Sequence, residues 1–254
     1  MAVVQRSVVI TGVAAERGIA RASAHRFAHD GWAVAGLDLD GQAARALADE
    51  LSDHYSVPAF GGAVDVSDEG SVTTARDAVL ACDLPPVGAV LNIAGITSPI
   101  PFMETTAELW NRIMAVNATG PFLVTRAFVP DMTQGGYGRV VNLSSISAQQ
   151  GGGVFGKTAY ASSKAAVLGF TRAAARELGP KAITVNAIAP GAVDTDIRVS
   201  ATTPELEAAI IASTPLGRQA TVDDVCALLA FLASDEAGFI TGCTYNLNGG
   251  AYMV

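Results

Sequence analysis

Cysteine is scarce in this sequence and follows no disulfide or metal-ligand spacing. Only three of the 254 residues are cysteines, and Cys82, Cys226 and Cys243 lie far apart. Such a set matches neither a disulfide framework nor a zinc motif, and it suits a reducing compartment. The amino-terminal residues show no charged segment followed by a long apolar core. We therefore expect no signal peptide and a cytoplasmic location.

Positive charge is also in short supply. The chain has 16 Lys and Arg against 24 Asp and Glu, a net charge of −8. Without a basic cluster that could follow a phosphate backbone, nucleic acid is not expected as a partner. No apolar stretch reaches membrane-spanning length without a charge, Gly or Pro, so no membrane association is expected. The three histidines, His25, His29 and His54, are not placed to bind a metal, and we expect no metal site.

What the chain has in quantity is apolar residues, which make up half of it. Short β-branched runs predict strands at residues 7–10, 33–37, 63–66, 88–91, 139–143, 183–188 and 245–247. Helical patterns occupy residues 21–31, 41–51, 104–129, 159–178 and 222–233, and a further helix runs from an N-cap at Ser67 to Ala81. This alternation is typical of an α/β fold with a doubly wound parallel sheet and helices on both faces. No linker divides residues 1–254, so we expect a single domain.

The first strand, turn, helix and second strand form a unit that could bind a dinucleotide. Gly12 and Gly18 flank the turn, and glycine allows close approach of a pyrophosphate to the backbone and to the positive helix N-terminus. Asp38 ends the second strand and can accept hydrogen bonds from ribose hydroxyls. A tight turn that binds nothing is the alternative. Asp38 could also cap the next helix, a role it could share with Asp40.

A tyrosine and a lysine one helical turn apart suggest chemistry. Tyr160 and Lys164 would lie on the same helix face. A free phenol has a pKa of about 10, and a nearby ammonium lowers it. The phenol could then exchange a proton with an alcohol. An incidental pair on a surface helix is the alternative. Because ligands of parallel sheets bind beyond the carboxyl ends of the strands, Asp65, Asn92 and Ser145 are expected on the same rim.

In this order the motifs resemble the classical short-chain dehydrogenase/reductase family over essentially the whole chain. The matching positions are Thr11, Gly12, Gly18, Ile19, Asp38, Asp65, Val66, 92–95, Asn117, Ser145, Tyr160, Lys164, 190–195 and 241–250. The resemblance implies a Rossmann-like fold and hydride transfer between a nicotinamide dinucleotide and a small-molecule alcohol or ketone. It also implies a homo-oligomer, a tetramer or a dimer.

The resemblance assigns four catalytic residues. Tyr160 would be the general acid/base, and Lys164 would lower its pKa and hold the nicotinamide ribose. Ser145 would hydrogen-bond the reacting oxygen, unless it only caps its loop and Ser144 takes that role. Asn117 would lie at a helix kink and hold a water that links Lys164 to solvent, unless it only satisfies backbone groups.

Further residues are implied to contact the cofactor. Val193 and Thr195 would contact the nicotinamide amide, and Asp65 and Val66 the adenine. The other expected contacts are Gly12, Arg17, Gly18, Ile19, Asp38, Asn92, Ala94, Gly95, Tyr160, Lys164 and Pro190. The carboxylate of Asp38 would repel a 2′-phosphate, which favours NAD over NADP. Arg17 would favour the phosphate if that acid were absent.

Two segments depart from the family pattern. The glycine loop is longer, and Ala20 replaces its last glycine. Divergent enoyl reductases have such a loop but lack the Tyr160–Lys164 spacing, so that branch is not favoured. Which of residues 14–17 contacts the pyrophosphate stays open. The spacing from Ser145 to Tyr160 is also longer than usual, and the added residues fall in the loop 149–156.

The substrate is expected to contact Ser145, Gln150, Phe155 and Tyr160. The polar glutamines of loop 149–156 favour a polyol or sugar derivative, unless the loop is mobile and makes no contact. Residues 196–214 resemble the substrate lid of the family, with a helix from Pro204. Alternatives are an NADPH-dependent 3-oxoacyl thioester reductase and a catalytically silent dinucleotide sensor. Helix 222–233 and strand 245–247 resemble the oligomerisation elements of the family. The apolar residues Ala166, Val167, Phe170 and Ala174 of helix 159–178 fit a buried helix–helix interface, although core packing alone could explain them.

Overall fold

The structure of the chain is a computed structural model that describes residues 6–153, 156–196 and 202–253. These residues form a sheet in the order β3-β2-β1-β4-β5-β6-β7 in which every pair of neighbours is parallel. The strands are β1 (Ser7–Thr11), β2 (Ala33–Asp38), β3 (Ala59–Ala63), β4 (Val87–Asn92), β5 (Gly138–Leu143), β6 (Ile183–Pro190) and β7 (Thr244–Leu247). The predicted doubly wound, Rossmann-like parallel sheet is confirmed.

Helices cover both faces of this sheet. They are α1 (Ile19–His29), α2 (Gly41–Tyr55), α3 (Glu69–Ala81), α4 (Ala107–Met114), α5 (Gly120–Gly135), α6 (Ser147–Gln150), α7 (Thr158–Leu178), α8 (Pro204–Ser213) and α9 (Val222–Ala233). Val8 and Ile10 of β1 pack with apolar residues of α1, α2 and α9. Val9, on the opposite face, packs with α3, α5 and α7. The two-residue period of a strand thus builds one core on each side.

The third strand lies earlier than predicted. It spans Ala59–Ala63 rather than 63–66. Gly61 explains the difference, because a Cβ at this position would overlap the backbone of Ala44 in α2. Gly61 weakens the strand pattern of the sequence, and the same residue allows α2 to approach the sheet.

The predicted N-cap of α3 is also wrong. Asp68, not Ser67, caps the helix, and its carboxylate accepts a hydrogen bond from the Ser71 amide at 2.6 Å. Ser67 instead donates both its amide and its hydroxyl to Asp65.

The helical pattern predicted across residues 104–129 is divided. Between α4 and α5 lies a π-helical turn, Ala115–Thr119, with Asn117 in its centre. Pro121 has no backbone N–H and so cannot continue the ladder of α-helical hydrogen bonds. The wider turn puts Asn117 in the interior, where it is fully buried.

The predicted interface stripe on α7 is only partly available to another molecule. Val167 is buried in the core of the chain itself. Ala166, Phe170 and Ala174 are partly exposed. The ring of Phe170 packs edge-on against Phe122 of α5, with the ring centroids 6.4 Å apart.

Within the described ranges, none of the helices combines the length and the apolar character needed to cross a membrane.

Candidate active site

A groove of about 600 Å³ lies beyond the carboxyl ends of β1 to β4. Nine of the predicted cofactor residues line it, namely Gly12, Gly18, Ile19, Asp38, Asp65, Val66, Ala94, Gly95 and Thr195. The topology of the sheet therefore brings these residues together from separate strands, as the sequence predicts.

The glycine loop shapes the floor of the groove. Gly12 has a φ of +89°, and a Cβ there would lie 2.9 Å from the Cα of Ala94. Only glycine allows the ends of β1 and β4 to approach this closely. Gly18 precedes α1 and offers no side-chain cap, so first-turn amides of α1 are not bound by a capping side chain. Such amides form an anion site.

Asp38 and Asp40 have separate roles. Asp40 caps α2 and accepts hydrogen bonds from the amides of Gln42 and Ala43, both at 3.0 Å. Asp38 instead accepts the Ala14 amide of the glycine loop at 2.9 Å. Its carboxylate lines the groove beside the anion site. This arrangement fits an adenine dinucleotide, whose ribose hydroxyls need an acceptor and whose pyrophosphate needs backbone donors.

The side chain of Asn92 turns away from the groove. Its Nδ2 donates to Thr125 Oγ1 at 2.9 Å and to Asn142 Oδ1 at 2.8 Å. The residues that follow, Ile93 to Gly95, line the groove instead. The side chain of Asn92 thus supports the strands, and a contact to the cofactor would come from the segment after it.

Asp65 lies at the far end of the groove. Two hydrogen bonds from Ser67 hold the pKa of this carboxyl below its usual value, and the charge of Arg112 acts in the same direction. Asp65 therefore keeps its charge at neutral pH, next to Val66 on the groove wall.

A second cavity, of about 500 Å³, adjoins the groove. Ile19, Leu143 and Thr195 line both. Tyr160 and Ser145 line the second cavity, together with Pro190 and Val193. A ligand in this cavity therefore meets the hydroxyls of Ser145 and Tyr160 next to one end of the groove.

The choice between the two serines follows from their partners. Ser144 Oγ donates to the backbone carbonyl of Lys164 at 2.8 Å and is buried. Ser145 Oγ accepts the Ser147 amide at 3.1 Å and is hydrogen-bonded to Tyr160. Ser145 thus carries the hydroxyl available to a substrate oxygen, and it also orders its loop.

Lys164 is buried behind the tyrosine. Its Nζ donates to the carbonyl of Leu143 at 2.7 Å and lies 5.8 Å from the Tyr160 ring centroid. Burial lowers the pKa of the Lys164 ammonium to about 8.

The predicted lowering of the phenol pKa is wrong for this structure. Burial raises the pKa of Tyr160, although the hydrogen bond from Ser145 opposes that rise. Desolvation disfavours the phenolate. The ammonium of Lys164, 5.8 Å from the ring centroid, does not reverse the effect.

Asn117 is held by backbone and by a serine. Its Oδ1 accepts the Ile96 amide at 2.9 Å, and its Nδ2 donates to the Ile96 carbonyl at 2.8 Å and to Ser163 Oγ at 3.0 Å. These bonds join the π-helical turn to the segment after β4 and to α7. They show a structural role; the water that the family resemblance implies stays a prediction.

Three of the four predicted substrate contacts, Ser145, Gln150 and Tyr160, line the second cavity. Gln150 lines the second cavity, but its Nε2 donates to the Gly152 carbonyl of its own loop at 2.8 Å. Phe155 lies outside the described residues. Helix α8 begins at Pro204 as predicted and contributes Ile210 to the cavity.

Comparison with known proteins identifies the family. The family model described as enoyl-(acyl carrier protein) reductase matches residues 12–252. The chain is 40% identical over 245 residues to an uncharacterized short-chain type dehydrogenase/reductase of Sinorhizobium fredii, with 96% of each chain covered. The chain belongs to the short-chain dehydrogenase/reductase family.

Two further proteins are similar to this chain over nearly its whole length. The chain is 38% identical over 256 residues to (3R)-3-hydroxyacyl-CoA dehydrogenase of Rattus norvegicus, covering 98% of this chain and 97% of that one. It also superimposes on a crystal structure of a 3-oxoacyl-(acyl-carrier protein) reductase of Brucella melitensis with bound NAD. That match has a TM-score of 0.88 and 34% identity, and covers 98% of this chain and 92% of the other.

Membership makes the protein an oxidoreductase of a family that binds a nicotinamide cofactor. The groove, with Asp38 and the α1 N-terminus, is where this short-chain dehydrogenase/reductase would hold it. Within the described ranges, no cluster of three or more His, Cys, Asp or Glu could hold a metal ion. The individual residue roles given above stay predictions.

Sequence reasoning missed several residues that line the two cavities. Ile96, Arg112 and Val116 line the groove, and Thr97 and Ile146 line the second cavity. Most lie after β4 or in the helices around the π-helical turn. A helix carrying a Gly-Pro pair in its interior was the available signal that this segment bends toward the site.

Proposed function

We propose that this protein is an NAD-dependent oxidoreductase that interconverts a secondary alcohol and a ketone. The observation that carries the proposal is the hydrogen-bonded pair of Ser145 and Tyr160, which lines the second cavity beside the groove. Buried Lys164 lies behind this pair. A bound nicotinamide would supply or accept the hydride.

The chain's own residues would handle the oxygen and its proton. Ser145 and Tyr160 would hydrogen-bond the carbonyl oxygen, and Tyr160 would protonate the alkoxide as it develops. The raised pKa of Tyr160 keeps the phenol protonated near neutral pH, which suits reduction. In the oxidation direction Tyr160 must first lose its proton, so oxidation should speed up as pH rises.

Asp38 supports NAD as the cofactor. A carboxylate on the groove wall accepts a hydrogen bond from a 2′-hydroxyl and repels a 2′-phosphate. The NAD found in the structure from Brucella melitensis is consistent with this choice.

For the substrate we propose a 3-hydroxyacyl or 3-oxoacyl thioester. The names of the rat and Brucella relatives support this class. Apolar side chains of Ile146, Val193 and Ile210 on the cavity wall suit an acyl chain. A polyol or sugar derivative is the second candidate. It rests on Gln149 and Gln150, and Gln150 donates its side-chain amide to the Gly152 carbonyl of its own loop.

The test compares substrates and cofactors under matched conditions. Reduction of a 3-oxoacyl-CoA by NADH, and oxidation of a polyol panel with NAD, are followed by the absorbance of the reduced nicotinamide. We expect turnover of the thioester, and a loss of at least about 100-fold in Tyr160→Phe. Cofactor binding without turnover of any substrate would favour the silent sensor, and preference for the polyols would overturn the thioester class.

We further propose that copies of the chain assemble in the cytoplasm as a homotetramer or dimer. The partly exposed pair of Phe122 and Phe170 on α5 and α7 supports such an interface. Light scattering after size-exclusion chromatography should give a mass of two or four chains, and Phe170→Glu should lower it. A monomer in the unsubstituted protein would contradict the assembly.

A further inference from the structure

Arg17 of the glycine loop is bound by two carboxylates from a distant part of the chain. Its Nη2 donates to Asp194 Oδ1 at 2.5 Å, and its Nη1 lies 3.9 Å from Asp196 Oδ1. Its backbone amide donates to Asp196 Oδ2 at 2.9 Å. Both the guanidinium and the backbone of this residue are thus fixed by the segment that follows β6.

The carboxylates that bind Arg17 and the carboxylate of Asp38 follow different strands of the sheet. Asp194 and Asp196 follow β6, whereas Asp38 ends β2. In the sheet, β2 lies on one side of β1 and β6 lies on the other, beyond β4 and β5. The ion pairs of Arg17 thus direct its guanidinium to the segment that follows β6 and not to Asp38. The side chains of Arg17, Asp194 and Asp196 are 53%, 71% and 39% exposed.

This position matters for the choice between two cofactors. A 2′-phosphate on the ribose beside Asp38 would need a cation to offset its charge. Arg17 belongs to the loop that contacts Asp38 through Ala14, so it is a cation that could turn to that phosphate. While Asp194 and Asp196 bind it, a phosphate must compete with two carboxylates for the same guanidinium.

We propose that Asp194 and Asp196 are specificity-determining residues, which favour NAD over NADP by holding Arg17 away from the 2′ position. They are positioning residues, because they act through Arg17. The inference rests on the proposed preference for NAD. Two effects would then favour NAD. Asp38 repels the 2′-phosphate directly, and Asp194 and Asp196 bind the guanidinium of Arg17, which would otherwise be able to pair with that phosphate.

The test uses the full-length protein and measures dissociation constants of NADH and NADPH by calorimetry, so that turnover is not needed. The variants are Asp194→Asn, Asp196→Asn and the pair together. Asparagine keeps the shape and an acceptor oxygen for the Arg17 amide. Since removing any acid from the groove strengthens binding of both anionic cofactors, the quantity compared is the ratio of the two constants. Glu16→Gln, one residue away, removes an equal charge and is the matched control.

We expect the paired variant to shift the ratio about tenfold toward NADPH, each single variant to shift it less, and the control to leave it unchanged. Adding Arg17→Ala to the paired variant should return the ratio to its original value. An unchanged ratio, or a shift that survives loss of Arg17, would overturn the inference while the proposed NAD preference stands. Preference for NADPH in the unsubstituted protein would overturn both.

Discussion

Replacing Asn117 by alanine tests how the site is held together. The substitution removes three hydrogen bonds that join the π-helical turn to Ile96 and Ser163. Ser163 keeps its bond to the carbonyl of Tyr160 at 2.7 Å, so the amide and the carbonyl of Ile96 are the groups left without these partners. Asn117 is fully buried, so water does not readily take its place.

The size of the effect follows from these two backbone groups. A buried polar group that loses its partner costs about 1–3 kcal/mol, and because Ile96 is only partly buried, its two groups together should destabilise Asn117→Ala by about 2–4 kcal/mol. For a domain of this size that corresponds to a fall in melting temperature of roughly 5–15 °C. Activity should fall as well, because Gly95, beside Ile96, lies against both Asn117 and Lys164.

Thermal unfolding at fixed protein concentration measures this prediction. Ser163→Ala is the matched control: it removes one bond of Asn117 but leaves both bonds to Ile96, and it should cost about 1 kcal/mol. A melting temperature of Asn117→Ala equal to that of the unsubstituted protein, combined with lost turnover, would refute the reasoning. That result would favour a water relay to Lys164 instead.

Three further substitutions probe other parts of the structure. Gly156→Ala places a Cβ that overlaps the Tyr160 ring and should reduce kcat at least tenfold. Gly153→Ala in the same loop should not, because the nearest atom to its Cβ would be 3.6 Å away. Equal kcat values of the two variants would contradict this prediction. The pKa of Lys164 falls from 10.5 to about 8 on folding, so the unfolded chain binds more protons between these pH values and stability gains with rising pH. We therefore expect the difference in unfolding free energy between the unsubstituted protein and Lys164→Met, measured by urea unfolding, to increase from pH 8 to pH 10. The same pH dependence in both proteins would contradict the lowered pKa of Lys164. Thr221→Ala removes the side-chain half of the capping box of α9, in which Thr221 Oγ1 accepts the Asp224 amide, and should cost about 1 kcal/mol in the same assay, while a neutral result would show that this hydrogen bond contributes nothing.

The parts of the site that follow from local pattern were predictable. Buried parallel strands are short β-branched runs, and a glycine or polar residue marks where each ends, as Gly12 and Asp38 do. In a parallel sheet the carboxyl ends of all strands lie along the same edge, so the residues that follow the strands lie on one rim. That reasoning located the groove and placed Tyr160 next to it.

What could not be predicted depends on contacts between distant residues. Asn117 bonds to a residue 21 positions away, and Arg17 to one 177 positions away. The strand at Ala59–Ala63 depends on how closely α2 packs over Gly61. The pKa of Tyr160 depends on its burial, which the Tyr–Lys spacing does not encode. Each of these is a property of packing rather than of a local motif.

Transfer of deuterium tests the central claim most directly. The protein is incubated with a 3-oxoacyl-CoA and with NADH in which both hydrogens of the ring carbon that gives up hydride are replaced by deuterium, and the product is analysed by mass spectrometry. We expect one deuterium on the carbinol carbon of the 3-hydroxyacyl product, and almost none in the same time with Tyr160→Phe. A reduced product without deuterium, or equal labelling by Tyr160→Phe, would contradict the account.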